Sequence, residues 1–390
     1  MIGQSARTYL GNRETRVTRE STTEEFFYLP QLPRLLPYAY HPQAARIEIA
    51  SNGWVRHFLG DRFPNERELL RFLRQRNGLY GPLTVPAATD RRARDIADWY
   101  QFVTVIDSFV SDRTTLGASH DGARQVFADI MADFQGGGRQ PAGETPEEPG
   151  YGAAARDLWH RISPGLSDGQ VRRLADSLEA FLRGCAAEIQ AKLTADIPDY
   201  ETCMTVREDS FGCEFLKLLT EYGAGVDMTA HTTSAEFVDV HIHAMRQLIL
   251  VNDLLSWRKE HADDDVMTTV RVLIQRYGMG LQPAVDELCR LVEYHENEYI
   301  AARDRILSGP LGAADDVRAY LGGLDYLIGG SQEFEYLTPR YFGDGFVWDG
   351  TTSGWVSLTA PVARFLPAKP AEPTVEPAPA LEPTPTVEAM

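Results

Sequence analysis

The chain has 390 residues, of which 43% are hydrophobic and 10% are aromatic, as in a globular protein with a sizeable core. Its 38 basic and 56 acidic side chains give a formal net charge of −18, which excludes nucleic-acid binding by a broad basic face. The sequence has neither a secretory signal nor an apolar run of about 18 residues. We therefore expect a cytoplasmic protein without a membrane span, in which the four cysteines are reduced thiols.

Residues 1–35 show little helical periodicity, and Pro30 and Pro33 are incompatible with a regular helix near the end of this segment. We interpret the segment as an irregular arm that covers a core through its aromatic side chains. The stretch 136–152 is rich in glycine and proline and predicts a flexible surface loop. Residues 346–390 become proline-rich towards the C-terminus, and this composition predicts a disordered tail.

Nearly all of the chain between the arm and the tail has the apolar periodicity of helices, with little sign of alternating strands. The predicted helices span approximately residues 43–60, 66–78, 90–112, 121–134, 168–194, 201–222, 232–261, 265–277, 282–308 and 313–335. The sequence thus predicts an all-α fold, with one large helical bundle at 36–345 between the arm and the tail.

The segment 251–260, VNDLLSWRKE, carries the strongest functional signal. Asn252, Ser256 and Glu260 are spaced four residues apart, so a helix places them on one face. An amide, a hydroxyl and a carboxylate all offer oxygen, which Mg²⁺ prefers as a ligand, and Lys259 lies beside them. The surrounding residues are mostly apolar. We therefore expect the triad to be buried, where its polar groups need partners.

The same nine residues, NDLLSWRKE, match the motif (N/D)Dxx(S/T)xx(K/R)E of microbial class I terpene synthases. The chain resembles this family from about residue 25 to residue 345. The resemblance implies that Asn252, Ser256 and Glu260 are metal ligands and that Lys259 contacts the substrate diphosphate. It also implies the all-α bundle of the class I terpenoid synthases.

Further positions support the resemblance. Arg207, in MTVREDSFG, resembles the arginine that senses the diphosphate. The following Ser210, Phe211 and Gly212 lie where the family has a helix break that transmits closure of the site.

Near the C-terminal end of the resemblance, Arg340 and Tyr341, in LTPRY, resemble the terminal Arg-Tyr pair that contacts the diphosphate. Towards the N-terminus, Asp107, in FVTVIDSFVSD, lies where the family carries an aspartate-rich motif at the end of an apolar helix.

The aspartate-rich motif departs from the family pattern, DDxxD or DDxxE, because Ser108 replaces the second acid. The next carboxylate is that of Asp112, which a regular helix would place about 140° around the axis from Asp107. We therefore predict that Asp107 alone bridges the metal ions. Asp112 is predicted to be a hydrogen-bonding or salt-bridge partner.

The resemblance implies that the protein ionises a prenyl diphosphate and cyclises the carbocation to a terpene hydrocarbon or alcohol. It favours a C15 substrate over a C20 one. Three Mg²⁺ ions are expected as cofactors, with Mn²⁺ as the alternative. The sequence leaves open whether the protein is a monomer or a homodimer.

Three other functions remain open from the sequence. A chain-elongating prenyltransferase would share the fold and the metals, although it usually has a second aspartate-rich motif in place of NDLLSWRKE. The replacement at Ser108 is also consistent with a non-catalytic helical binding protein. A magnesium-dependent phosphate-ester hydrolase would need a general base for water, and none is evident beside the metal residues.

Overall fold

The computed structural model describes residues 25–111, 115–135 and 149–369. Apart from short 3₁₀ turns, its elements are, in chain order, β1 (Phe26–Leu29), α1 (Ala44–Leu59), α2 (Glu66–Leu73), α3 (Tyr80–Thr84), α4 (Asp90–Ser111), α5 (His120–Gln135), α6 (Tyr151–Ile162), α7 (Asp168–Thr194), α8 (Tyr200–Ser210), α9 (Cys213–Ala224), α10 (Ala235–Ala262), α11 (Thr269–Gln275), α12 (Leu281–Ser308), α13 (Asp315–Leu337), α14 (Pro339–Phe342) and β2 (Gly354–Ser357). The predicted all-α bundle is confirmed, with one two-stranded sheet added to it.

Helix α10 is central to the bundle and packs against α8, α11, α12, α13 and α14. Its side chains from Gln247 to Trp257 are all buried, so this part of the helix is enclosed by protein on every side. Such a helix belongs in a protein interior, as expected from the apolar residues around its polar triad. Among the helices of the described residues, none combines the length and the apolar surface that a membrane span requires.

The local signals at several helix ends agree with the predicted boundaries. At the start of α7, the Ser167 hydroxyl accepts a hydrogen bond from the backbone N–H of Gln170 at 3.2 Å. The Gln170 side chain accepts one from the N–H of Ser167 at the same distance, which completes a capping box. The Asp199 side chain caps α8 in a similar way.

Other boundaries differ from the prediction. The predicted helix 201–222 consists of α8 and α9, because Gly212 adopts φ +81° between them. The predicted helix 265–277 begins only at Thr269, where Thr268 provides the N-cap. Helix α6 was not predicted. It begins at Tyr151, within the predicted loop 136–152, and residues 136–148 of that loop lie outside the described residues.

The segment after residue 345 is ordered as far as the structure describes it, unlike the predicted disordered tail. Strand β2 pairs with β1 in antiparallel register, with Phe27 opposite Val356 and Leu29 opposite Gly354. The buried side chains of Val356 and Phe365 join the main core. The proline-rich composition indicated disorder, but the apolar residues before residue 367 bury enough surface to order this part. Residues 1–24 of the predicted arm and 370–390 of the predicted tail lie outside the described residues.

Candidate active site

One cleft in the bundle contains most of the predicted site residues and encloses about 1180 Å³, including its open mouth. Many of its polar side chains come from the C-terminal parts of helices, such as Asp107 on α4, Glu188 on α7 and Glu260 on α10. Two helical turns earlier on α4 and α7, Tyr100 and Phe181 line the cleft with aromatic rings. The cleft therefore has a charged mouth and an aromatic interior.

The three predicted metal ligands on α10 all line the cleft. The Ser256 hydroxyl lies 2.6 Å from the backbone carbonyl oxygen of Asn252 and 2.7 Å from Glu260 Oε1. The other carboxylate oxygen of Glu260, Oε2, is buried and has no hydrogen-bond partner. Burial, followed by the charge of Asp253, raises the pKa of Glu260 well above its usual value. A buried carboxylate oxygen without a partner is a position that a cation would stabilise.

This set of oxygen donors fits a hard divalent cation. Among the described residues, no three His, Cys, Asp or Glu side chains converge on one point. An ion at Glu260 would therefore use the amide and hydroxyl oxygens of Asn252 and Ser256, together with water or phosphate oxygens. Mg²⁺ commonly binds proteins through one or two carboxylates in this way.

Arg207 is buried at the centre of a polar network beside α10. Its Nη2 donates to Asn252 Oδ1 at 3.0 Å and to Asp253 Oδ1 at 2.7 Å, and its Nη1 lies 3.4 Å from Glu188 Oε1. Asp253 is in turn fixed by the backbone N–H of Thr269 at 2.7 Å. The predicted diphosphate sensor therefore contacts one of the predicted metal ligands directly.

The amide nitrogen of Asn252 points away from Arg207. It donates to Glu335 Oε1 at 3.0 Å and lies 3.1 Å from the Tyr341 hydroxyl. Burial raises the pKa of Glu335 to about 8. Glu335 was not predicted from the sequence, although the run SQEFE near the end of an otherwise apolar helix was a usable signal.

Arg340 binds both residues of the altered aspartate-rich motif. Its Nη2 donates to the carboxylate of Asp107 and its Nη1 donates to the hydroxyl of Ser108 at 2.8 Å. A third contact, to Gln75 Oε1, is 3.1 Å long. Asp107 lines the cleft as predicted, whereas Asp112 lies outside the described residues. Ser108 thus takes part in holding the arginine of the Arg-Tyr pair.

The predicted helix break lies beside the cleft. The Ser210 hydroxyl donates to Glu188 Oε1 at 2.5 Å, and the Arg207 guanidinium lies 5.8 Å from the centre of the Phe211 ring. Gly212 is not a lining residue, but its positive φ turns the chain into α9. A Cβ on Gly184 would lie 2.3 Å from the backbone nitrogen of Ser210, so α7 can approach the break only through a glycine.

Two cationic side chains complete the mouth. Lys259 lines the cleft and pairs with Asp263 at 3.1 Å. Lys192, which was not predicted from the sequence, is buried and contacts Asp265 Oδ1 at 2.6 Å and the Ser111 carbonyl oxygen at 2.9 Å. Lys192 lies on a largely amphipathic helix, where a single lysine gives no sign of facing inward. With Arg207 and Arg340, these lysines place four cationic side chains at the mouth, among acids such as Asp107 and Glu188.

The chain is similar to known proteins over most of its length. Residues 98–298 match the family described as terpene synthase family 2, C-terminal metal binding. The alpha-muurolene synthase of Coprinopsis cinerea is 27% identical over 335 residues, which cover 83% of this chain and 76% of that protein. The sesquiterpene synthase Agr3 of Cyclocybe aegerita is 27% identical over 330 residues, which cover 81% of this chain and 89% of that protein.

A solved structure shares the fold. It is that of SVS_A2, a protein from ancestral sequence reconstruction, with a TM-score of 0.69 and 21% sequence identity, covering 83% of this chain and 93% of that one. The family match spans more than half of the chain, including Asp107, Arg207 and the triad of Asn252, Ser256 and Glu260. The chain therefore belongs to terpene synthase family 2.

Proposed function

We propose that the protein binds farnesyl diphosphate, ionises it with the help of three Mg²⁺ ions, and cyclises the resulting C15 carbocation to a terpene hydrocarbon or alcohol. Geranylgeranyl diphosphate, with a C20 chain, is the second candidate substrate. The relative from Cyclocybe aegerita supports a C15 substrate, because it is named a sesquiterpene synthase. Mn²⁺ is the alternative cofactor.

The observation that carries the proposal is the buried and unpartnered Glu260 Oε2 at a mouth surrounded by cationic side chains. Asn252, Ser256 and Glu260 would hold one ion on α10, and Asp107 would hold the others at the opposite wall. When bound, Mg²⁺ supplies Lewis-acid stabilisation of the negative charge on the departing diphosphate. A binding protein for a neutral ligand would have no use for this arrangement of charges.

The side chains of the mouth bind and orient the diphosphate. Lys259 and Arg340 are fixed there by ion pairs, and Arg207 is buried directly behind Asn252. The Tyr341 hydroxyl, 3.1 Å from the Asn252 amide nitrogen, is a further donor for a phosphate oxygen. Such preorganised donors stabilise charge as it develops on the leaving group, without reorganising at that moment.

The aromatic interior accommodates the isoprenoid chain. The rings of Tyr80 and Tyr100 lie 4.3 Å apart, Phe334 is 5.2 Å from Tyr80, and Phe215 is 6.4 Å from Tyr100. Aromatic faces attract a carbocation by about 0.5–2 kcal/mol each. An apolar wall also excludes the water that would quench the cation early.

The experiment is an incubation of the purified protein with C10, C15 and C20 diphosphates, with Mg²⁺ or with EDTA, and analysis of the extract by gas chromatography and mass spectrometry. We expect metal-dependent terpene from the C15 substrate. Glu260→Gln and Asn252→Ala are expected to abolish most of it, whereas Glu66→Gln, at an exposed surface pair, is the matched control. Full activity of either site variant would refute the ligand assignment, and no product from any substrate would refute the proposed function.

A further inference from the structure

Arg258 lies in the middle of the NDLLSWRKE motif, at a position where the motif allows any residue, and it does not line the cleft. We propose that Arg258 is a positioning residue. Together with the C-terminal strap, defined here as residues 343–369, it holds α14 so that Arg340 and Tyr341 face the diphosphate. The inference rests on the proposed function for the identity of the bound anion.

The contacts of Arg258 are all made to backbone carbonyl groups outside α10. Its Nη1 donates to the carbonyl oxygen of Tyr341 at 3.4 Å. Its Nη2 donates to the carbonyl oxygen of Ala360 and, at 3.3 Å, to that of Pro361. A planar guanidinium can make such divergent contacts simultaneously, because its donors point in fixed directions. Arg258 therefore joins α10, α14 and the strap at one point.

Helix α14 depends on its surroundings for its position. It contains only four residues, Pro339–Phe342, and an isolated helix of that length is not stable by itself. On its strap side, the Ala363 N–H donates to the Phe342 carbonyl oxygen at 2.7 Å. Gly343, which ends α14, has φ +110°, and a Cβ there would lie 2.1 Å from the Pro361 carbonyl oxygen. The strap thus packs directly against the end of α14.

The strap is itself anchored to the bundle. Strand β2 pairs with β1, and the backbone of Trp355 makes two hydrogen bonds, at 2.8 and 2.9 Å, with that of Leu366. The Trp348 ring stacks on Tyr336 of α13, with ring centres 5.8 Å apart and planes 14° apart. Because both ends of the strap are fixed, residues 360 and 361 present their carbonyl groups to Arg258 as parts of a folded surface.

The result is that Tyr341 is held by α10 from two sides. Its hydroxyl contacts the Asn252 side chain at 3.1 Å, and its carbonyl oxygen contacts Arg258 at 3.4 Å. Asn252 is a predicted metal ligand, so the helix that would hold an ion also fixes the chain segment carrying Arg340. Loss of Arg258 would leave α14 attached through its side chains and the strap, but no longer tied to α10 through its backbone.

The test measures the binding of inorganic diphosphate in the presence of Mg²⁺ by isothermal titration calorimetry, together with kcat and KM for farnesyl diphosphate. We expect Arg258→Ala to weaken diphosphate binding and to raise KM by about tenfold, as the loss of charged hydrogen bonds implies. Arg258→Lys should recover part of the affinity. Arg364→Ala, an exposed arginine of the same strap, is the matched control and should bind diphosphate like the wild type.

Thermal unfolding of the free protein separates positioning from stability, because a positioning residue changes the affinity with little change in the midpoint. Gly343→Ala tests the same contact from the strap side and should also weaken diphosphate binding. Wild-type affinity in Arg258→Ala would overturn the inference, as would an equal loss in Arg364→Ala. A wild-type protein that binds diphosphate but converts no prenyl diphosphate would overturn the proposed function alone, since the calorimetry needs no turnover.

Discussion

The guanidinium of Arg340 binds Asp107 and Ser108 together, donating from Nη2 to the carboxylate and from Nη1 to the hydroxyl at 2.8 Å. Two adjacent residues of α4 are thereby joined to the Arg-Tyr pair on the opposite side of the mouth. The serine in place of the family's second acid is therefore an engaged hydrogen-bond acceptor. Its own proton is directed at the Thr104 carbonyl oxygen, 2.7 Å away.

We expect Ser108→Ala to raise KM for the prenyl diphosphate about fivefold while kcat changes little. The reason is that Arg340 loses one neutral acceptor, worth about 1 kcal/mol, but keeps Asp107. Steady-state kinetics of the purified variant measure the effect. Ser119→Ala, near the start of α5, is the control. A KM equal to that of the wild type would contradict a role for the Ser108 hydroxyl in placing Arg340.

Lys192 ties the end of α4 to the loop after α10 through Ser111 and Asp265. Lys192→Met should raise KM for the diphosphate substrate about tenfold, because it removes a cation and leaves the Asp265 carboxylate facing an anionic ligand. Lys192→Arg should retain most of the affinity. Lys217→Met, which breaks the pair with the exposed Glu214, is the matched control. Equal KM values for Lys192→Met and the control would refute the prediction.

Val103 lines the cleft one turn below Asp107, facing the space for the isoprenoid chain. Val103→Phe should lower kcat/KM for the C15 substrate at least about tenfold relative to the C10 substrate, because the larger side chain shortens the cavity. Paired incubations with both diphosphates give the ratio. Val238→Phe, on the exposed face of α10, should leave it unchanged. An unchanged ratio in Val103→Phe would show that the isoprenoid chain of the substrate does not bind beside Val103.

Two buried histidines predict acid sensitivity of the fold. Burial lowers the pKa of both His241 and His295 to about 3, and His241 Nε2 lies 2.8 Å from the Tyr320 hydroxyl. Because the unfolded chain binds protons at higher pH, the stability from the neutral rings is complete above about pH 6.5. As the pH decreases towards 3, the free energy of unfolding falls by up to about 1.4 kcal/mol for each pH unit and for each of the two histidines.

Urea unfolding at about pH 7.5 and about pH 5 measures this dependence. We expect the free energy of unfolding to decrease at the lower pH, and the decrease should be smaller in His241→Gln. His57→Gln, at an exposed position, should show the same decrease as the wild type. If His241→Gln loses as much stability as the wild type, the buried imidazole does not titrate in the predicted range.

The sequence predicted the helical bundle and the triad of α10 because both depend on regular spacing. Asn252 and Glu260 share a face in any helix, whatever packs against it. Glu188 was missed because a single acid in a helix gives no sign of its partners, which here come from α8. The run SQEFE marked Glu335 as unusual, but its partner Asn252 lies on a helix that is distant in the sequence. Lys192 was missed for the same reason.

The strap was missed for a different physical reason. Its prolines indicate disorder when composition alone is considered. Val356 and Phe365 are separated by a stretch that mixes polar and apolar residues and contains Pro361, so they form no helical or long alternating pattern. Their burial depends on β1 and on the aromatic rings of α13 and α14, which only the folded bundle brings together.

The pairing of β1 with β2 has a consequence for how the protein folds. The two strands lie near opposite ends of the described chain, so their pairing closes a very long loop. Because closing a long loop costs entropy, such a contact forms late in folding. During synthesis, β1 leaves the ribosome long before its partner exists. The helices can then assemble around α10 before the strap is synthesised, and α14, which carries Arg340, is the last element to be fixed.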